Sequence, residues 1–466
     1  MTRPNLIPLR IVPTHIAPSE AHDRAVVEIY RPFFTAGILA VLTAGCLLGA
    51  IALFGISKAG SYTASAWTPH ILAHANSQLF GWVGFFVMGF ALQQHPPQVR
   101  YVRLFHRVAA TSLILMAIGI GIRFAAEPMV AVQPNLGVLL GMIACALQIV
   151  AVSLFLFNTY YPRYRSGQPL EWPSLFVFAS LFFLMVVSVA EPFAFWGSHQ
   201  ADRLQSVIFV AEWFSPLREI QFLGFVAMMI FGVSLVKLPS CFGAPPASRE
   251  YGLLGFAWWI LGLGLRVGGW IWSFEQGLTA SVNPVYQASS ICLVLGAAHV
   301  AYACGVFGRL EGALRSHKFI RSAYAWLMIS GLLMLLEPWH LRAIGQPFSH
   351  AYIGGIRHAV TVGFISQMIL GVGSHVAARM NDLEDRVLPN LWLVFWLLNV
   401  GNAGRVLCEI ATDYNPQAFG PMGFTGFIEL TALVLWAGGM LKMMYPSWAV
   451  RFQTNRNLGR GVHNAK

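Results

Sequence analysis

Gly224-Phe-Val-Ala-Met-Met-Ile-Phe-Gly-Val233 and Gly363-Phe-Ile-Ser-Gln-Met-Ile-Leu-Gly-Val372 are two versions of one segment. In each, a glycine is followed 8 residues on by a second glycine, and 34 residues after that by an arginine, Arg266 or Arg405. The same skeleton occurs earlier as Gly81, Gly89 and Arg123, so the copies stand 143 and 139 residues apart. Self-similarity at a fixed spacing marks a structural unit used repeatedly. The chain is therefore expected to be one unit used three times.

Composition says what kind of unit this is. Of the 466 residues, 56% are hydrophobic and 11% charged, against about 25% charged in an ordinary globular protein. A membrane-spanning helix needs about 20 mostly apolar residues. Twelve such stretches can be drawn, at 33–55, 71–93, 105–126, 136–157, 174–196, 217–238, 251–273, 287–307, 321–343, 352–376, 389–412 and 424–446. Helices satisfy their own backbone, which lipid cannot do. The expected fold is an all-α integral membrane protein, with 12 transmembrane helices in three pseudo-equivalent four-helix units at about 33–157, 174–307 and 321–446. Residues 1–32 form a polar arm and 447–466 a basic tail around a single membrane domain, 33–446. The longest polar connections are expected near 197–216 and 377–388.

Positive charge orients the chain. Of 30 Lys and Arg, 22 fall on one side, and only Lys58, Arg203 and Arg342 on the other. Both termini are thus expected to be cytoplasmic, with the second, sixth and tenth stretches running from outside to inside. The net charge of +11 then reflects topology and attraction to lipid rather than nucleic acid. The polar start and full-length first apolar run give no sign of a cleavable signal. The six cysteines form no C-x-x-C and no C-x-x-C-H, so neither a zinc knuckle nor covalently attached haem is indicated.

Charged and imidazole side chains inside apolar helices are the candidates for chemistry. Arg123, Arg266 and Arg405 lie within such helices, and Arg123 and Arg405 each have a glutamate at i+4, Glu127 and Glu409. That spacing puts acid and base on one face. Two roles stay open for these arginines, local ion pairing or contact with an anionic group such as a haem propionate or a substrate. Counting back 5 residues from the first repeat glycine lands on Asn76, Glu219 and His358, polar each time. Arg357 precedes His358, and Arg218 precedes Glu219. His70 and His74 share a helix face at i, i+4, a spacing that lets both imidazoles reach one metal or cofactor. His340 and His350 are further candidates at the outer side, and His299 is either a ligand or a core residue. His95, His106, His317 and His375 are expected to be solvated at the cytoplasmic side.

Twelve helices in three arcs of four is the plan of the haem-copper oxidase catalytic subunit. A narrower likeness rests on three motifs. Arg31-Pro-Phe-Phe34 resembles the R-P-F-F opening of the NnrS family. His74-Ala-Asn-Ser-Gln-Leu-Phe-Gly-Trp82 resembles its H-A-H-E-M-L-F-G-F segment, and Arg357-His358-Ala-Val-Thr-Val-Gly363 its L-H-x-L-T-V-G segment. Asn76 stands where the family has its second histidine, Ser77 where it has glutamate, and the family's H-T-G-R-P-L run is missing. The resemblance implies a bacterial inner-membrane protein that holds haem, and in the family copper, and acts in the nitric oxide response or protection from nitrosative stress. It implies His74 and His358 as ligands, with His70 as an alternative, and Arg123, Arg357 and Arg405 near the haem propionates. The expected partners are haem, nitric oxide or another diatomic ligand, and lipid. A working terminal oxidase is not expected. The sixth and seventh stretches lack histidine, and His358 and His375 are 17 residues apart, about 25 Å along a helix. The competing expectation is a proton- or ion-coupled secondary transporter whose buried His, Arg and Glu layer is a substrate path.

Overall fold

The computed structural model describes residues 28–62, 67–94, 102–167, 170–277, 283–308, 315–381, 383 and 388–445. Most of the expected N-terminal arm, the C-terminal tail and His95 lie outside the described residues. Among the described residues, twelve helices are long and apolar enough to cross a membrane. The first unit contains α1 (Tyr30–Ala59), α2 (Pro69–Gln94), α3 (Val102–Val132) and α4 (Pro134–Arg165). The second contains α5 (Ser174–Ser198), α6 (Leu204–Cys241), α7 (Arg249–Glu275) and α8 (Pro284–Ala303). The third contains α9 (His317–Ile344), α10 (His350–Met380), α11 (Trp392–Ala411) and α12 (Pro416–Met444). This is a multi-pass, all-α membrane protein.

Each helix packs against the next in the chain, and α12 packs against α1, so the succession closes on itself. Burial separates an inner layer from an outer one. In α2, α6 and α10, 72%, 72% and 67% of the apolar window is buried, against 33–50% in the other nine. The three helices that carry the glycine pairs are therefore the inner ones.

The repeat is visible in atomic contacts. A Cβ on Gly89, Gly232 or Gly371 would stand 2.8, 3.1 or 3.1 Å from the Cβ of Phe33, Phe176 or Phe319. A Cβ on Gly81, Gly224 or Gly363 would meet Ala40, Phe183 or Trp326 at 2.7, 2.9 or 2.6 Å. Each glycine pair thus seats the inner helix of its unit on the unit's first helix. Lipid gives no hydrophobic drive between helices, so such close backbone approach is a main source of association. Gly363→Val is expected to destabilise the protein by about 1–3 kcal/mol through overpacking against Trp326. Thermal unfolding in detergent checks this, and an unchanged midpoint would contradict it.

The inner helices share a second feature. Each contains a π-helical segment, Ser77–Val83, Ile220–Ala227 and Ala359–Ser366, and each begins 4 residues before the first repeat glycine. Such segments are uncommon and concentrate at functional sites. Beyond them the inner helices are sealed by aromatic packing. Trp82 donates to Ser366 Oγ at 3.2 Å and meets the Trp436 ring at 5.6 Å, while Phe231 and Phe364 lie 6.0 Å apart.

Two expectations are corrected. The stretch 197–216, read as a polar connection, is mostly helix, because Asp202 caps the N–H of Leu204 at 2.8 Å and α6 then runs 38 residues without a break. Val207, Val210 and Phe214 recur there at helical spacing, and the length of about 57 Å carries the helix past the lipid core. His317 is not solvated; it is buried at 4% exposure against the Phe242 ring, 4.9 Å away.

Candidate functional site

The ends at which α2, α6 and α10 begin form the mouth of the bundle. Above the aromatic seal, each inner helix has a face that is only half-buried although outer helices surround it. His74 and Ala75, Arg218 and Glu219, and Arg357 and His358 all lie on these faces. Partial exposure on surrounded helices means open space among them. The residue just before each π-helical segment is the equivalent polar position, Asn76, Glu219 or His358. All three turn toward later helices of their own unit. Asn76 and Gln148 of α4 exchange amide hydrogen bonds of 2.9 and 3.4 Å, Glu219 lies 3.2 Å from Arg266 of α7, and His358 lies 3.4 Å from Glu409 of α11.

Three polar nests follow, one at each junction between units. Between the first and second units, Arg123 donates to Glu127 at 2.8 Å, lies 3.6 Å from Glu191, and sits over the Phe195 ring at 4.1 Å. Gln221 donates to Glu191 at 2.7 Å and accepts from Arg218 at 2.5 Å. The i+4 pair foreseen in the sequence therefore forms, and a second carboxylate from α5 completes it. Arg123 is not brought to His74 and His358.

Between the second and third units, Arg266 lies 3.2 Å from Glu219 and 3.9 Å from Glu337 of α9, over the Tyr286 ring at 4.5 Å. A charge this deep in a membrane bundle needs such partners.

The junction between the third and first units is different. His74 Nδ1 donates to the Gly45 carbonyl at 2.9 Å, and His358 Nδ1 to the Gly354 carbonyl at 3.0 Å. A carbonyl only accepts, so each Nδ1 carries a proton. His358 and Arg405 are among the groups whose charge acts on His74. Arg405 donates through Nη2 to Glu409 at 3.0 Å. Its Nε and Nη1, both side-chain atoms of Asn402, one oxygen of Glu409 and one of Glu429 are buried there without a hydrogen bond. Buried polar groups are ordinarily satisfied by protein or by water, so this concentration marks a place where water or a polar ligand would be bound. Glycines let the side chains pack closely here: a Cβ on Gly49 would stand 2.7 Å from His74 Nδ1, and one on Gly401 would stand 2.9 Å from Glu429 Cγ.

Of the candidates read from sequence, the structure gathers His74, His358 and Arg405 here, with Arg357 beside His358. His70 lies one turn nearer the mouth against Trp67, ring centres 5.1 Å apart. His340 is a structural residue, bonded to Asp413 at 2.7 Å and stacked on Tyr352 at 4.2 Å. His299 bonds its own helix at Leu295 O, 2.7 Å away. Glu191, Glu429, Gln148 and Asn402 were not singled out in the sequence. Each is a polar side chain in a largely apolar span, which is itself a signal, but its partners come from other spans. No protein-family model and no curated protein matches the chain.

Proposed function

We propose that the protein binds haem at the junction of its third and first units, where His74 and His358 would hold it. We propose also that it serves the nitric oxide response as a protein of NnrS type in the bacterial cytoplasmic membrane. The observation that carries this is the pair of imidazoles, each anchored through Nδ1 on a backbone carbonyl and with no hydrogen bond to Nε2 among the described residues. That is the arrangement by which proteins fix a metal-ligating histidine. The residues around it suit the group. The unsatisfied Nε and Nη1 of Arg405 would receive a propionate. When bound, haem would supply one-electron chemistry, the use that suits an iron held by two imidazoles. Glu409, 3.4 Å from His358 Nδ1, would hold that ring's orientation and strengthen its basicity. With both termini cytoplasmic, the mouth would face outward.

Copper has no such set. Asn76 is engaged with Gln148 in both directions, and among the described residues no three His, Cys, Asp or Glu side chains converge to hold a metal ion.

The test is the optical spectrum of detergent-purified protein from haem-replete cells, oxidised and dithionite-reduced, with and without nitric oxide. A Soret band with stoichiometric iron is the expected result, and a shift with nitric oxide would report that one imidazole gives way to the gas. A colourless, metal-free protein would sink the proposal and favour the transporter.

A further inference from the structure

Position −6 from the first repeat glycine is Ala75 in the first unit, Arg218 in the second and Arg357 in the third. All three are half-buried on inner helices, so the equivalent positions look onto the open space at the mouth. We infer that α6 and α10 hold a small planar monovalent oxyanion or carboxylate between Arg218 and Arg357, with Ala75 leaving the third side of the space clear.

Counter-charge is the argument. Arg357 lies deep in the bundle, yet among the described residues it has no carboxylate within 4.0 Å and no side-chain hydrogen bond, and its Nε is buried without a partner. The acids whose fields reach it include Glu219 and Glu409. These are already held by other arginines, Glu219 by Arg266 at 3.2 Å and Glu409 by Arg405 at 3.0 Å. Arg218 and Arg357 stand two residues before the π-helical segments of α6 and α10, which pack against each other, and their like charges repel. Its own acid, Glu191, is 3.8 Å away and shared with Arg123. Two like charges facing one space inside a membrane are stable only with an anion between them or beside them. A planar guanidinium matches a planar carboxylate or oxyanion bidentately and a spherical ion poorly. A free anion entering from the mouth and a haem propionate offer the same carboxylate chemistry. The inference is the free anion, and it does not depend on haem being bound.

Calorimetric titration of haem-free protein in detergent with sodium formate, nitrite and nitrate, and with sodium chloride as the spherical control, tests this. Saturable binding of the planar anions, at least tenfold weaker in Arg357→Gln and in Arg218→Gln and unchanged in Arg342→Gln at the exposed end of α9, is the expected result. Ala75→Leu, which leaves both charges in place and fills the space, is expected to weaken binding as well. Should the arginine variants not fold, Arg357→Lys and Ala75→Leu carry the comparison. No saturable binding by the parent protein, or binding untouched by all of these changes, overturns the inference. Binding that vanishes when haem is loaded assigns the guanidiniums to propionates and also overturns it. The haem proposal is judged separately, by the optical spectrum.

Discussion

Arg266→Leu is expected to destabilise the protein by about 3–5 kcal/mol, the range for removing one partner of a buried ion pair. Arg266 is 1% exposed and lies 3.2 Å from Glu219 and 3.9 Å from Glu337. Those glutamates come from α6 and α9, so one guanidinium joins the second unit to the third. Without it, two carboxylates lose their nearest cation inside the membrane domain. Adding Glu219→Gln and Glu337→Gln to the arginine change is expected to restore much of the loss, because the cost lies in the abandoned charges more than in the pair. Arg342→Leu, at an exposed helix end, is expected to stay within about 0.5 kcal/mol. Unfolding in mixed micelles compares the three. A loss for Arg266→Leu no larger than for Arg342→Leu would mean that the junction is solvated and that the nests do not bind the units together.

The second large effect is at the junction of the third and first units. His74→Ala and His358→Ala are each expected to lower haem retention at least about tenfold, since even outer-shell changes at metal sites commonly cost ~10–100-fold. Neither imidazole is a keystone of packing. Each makes one hydrogen bond to a carbonyl of the backbone, so the unfolding midpoints should move far less than with Arg266→Leu. His340→Ala is the informative contrast. That ring is held by Asp413 and Tyr414 and stacked on Tyr352, so its loss should disturb stability and leave haem content unchanged.

Much of this architecture was legible from residues alone, because lipid enforces simple rules. Twelve apolar runs of spanning length correspond to twelve helices, and the glycine spacing marked the inner three. The repeat extends further than the glycines suggested. Phe33, Phe176 and Phe319 stand 143 residues apart at both steps, against 143 and 139 for the glycines, but a phenylalanine in an apolar helix draws no notice until it is seen against Gly89, Gly232 and Gly371. The π-helical segments had no such signal, since they are a property of backbone hydrogen bonding and no residue type encodes them. The start of α6 was misread because Arg203, Gln205, Glu212 and Pro216 dilute its apolar face.

The site was legible in part. The polar positions 5 residues before the repeat glycines pointed to Asn76, Glu219 and His358. Arg123 and Arg405 looked alike in sequence, each with a glutamate at i+4, and separated only in three dimensions. Arg123 gained Glu191 from α5, whereas Arg405 kept two nitrogens without a hydrogen bond. That difference depends on which helix comes to lie beside each arginine, and one-dimensional spacing does not carry it.

The most direct measurement is low-temperature electron paramagnetic resonance of the oxidised, haem-loaded protein beside His74→Ala and His358→Ala. Iron held by two imidazoles is expected to give a low-spin ferric signal in the parent, lost or converted to high spin in each variant. A parent that takes up no haem, or a signal unchanged in both variants, would contradict the assignment of His74 and His358 as the ligands.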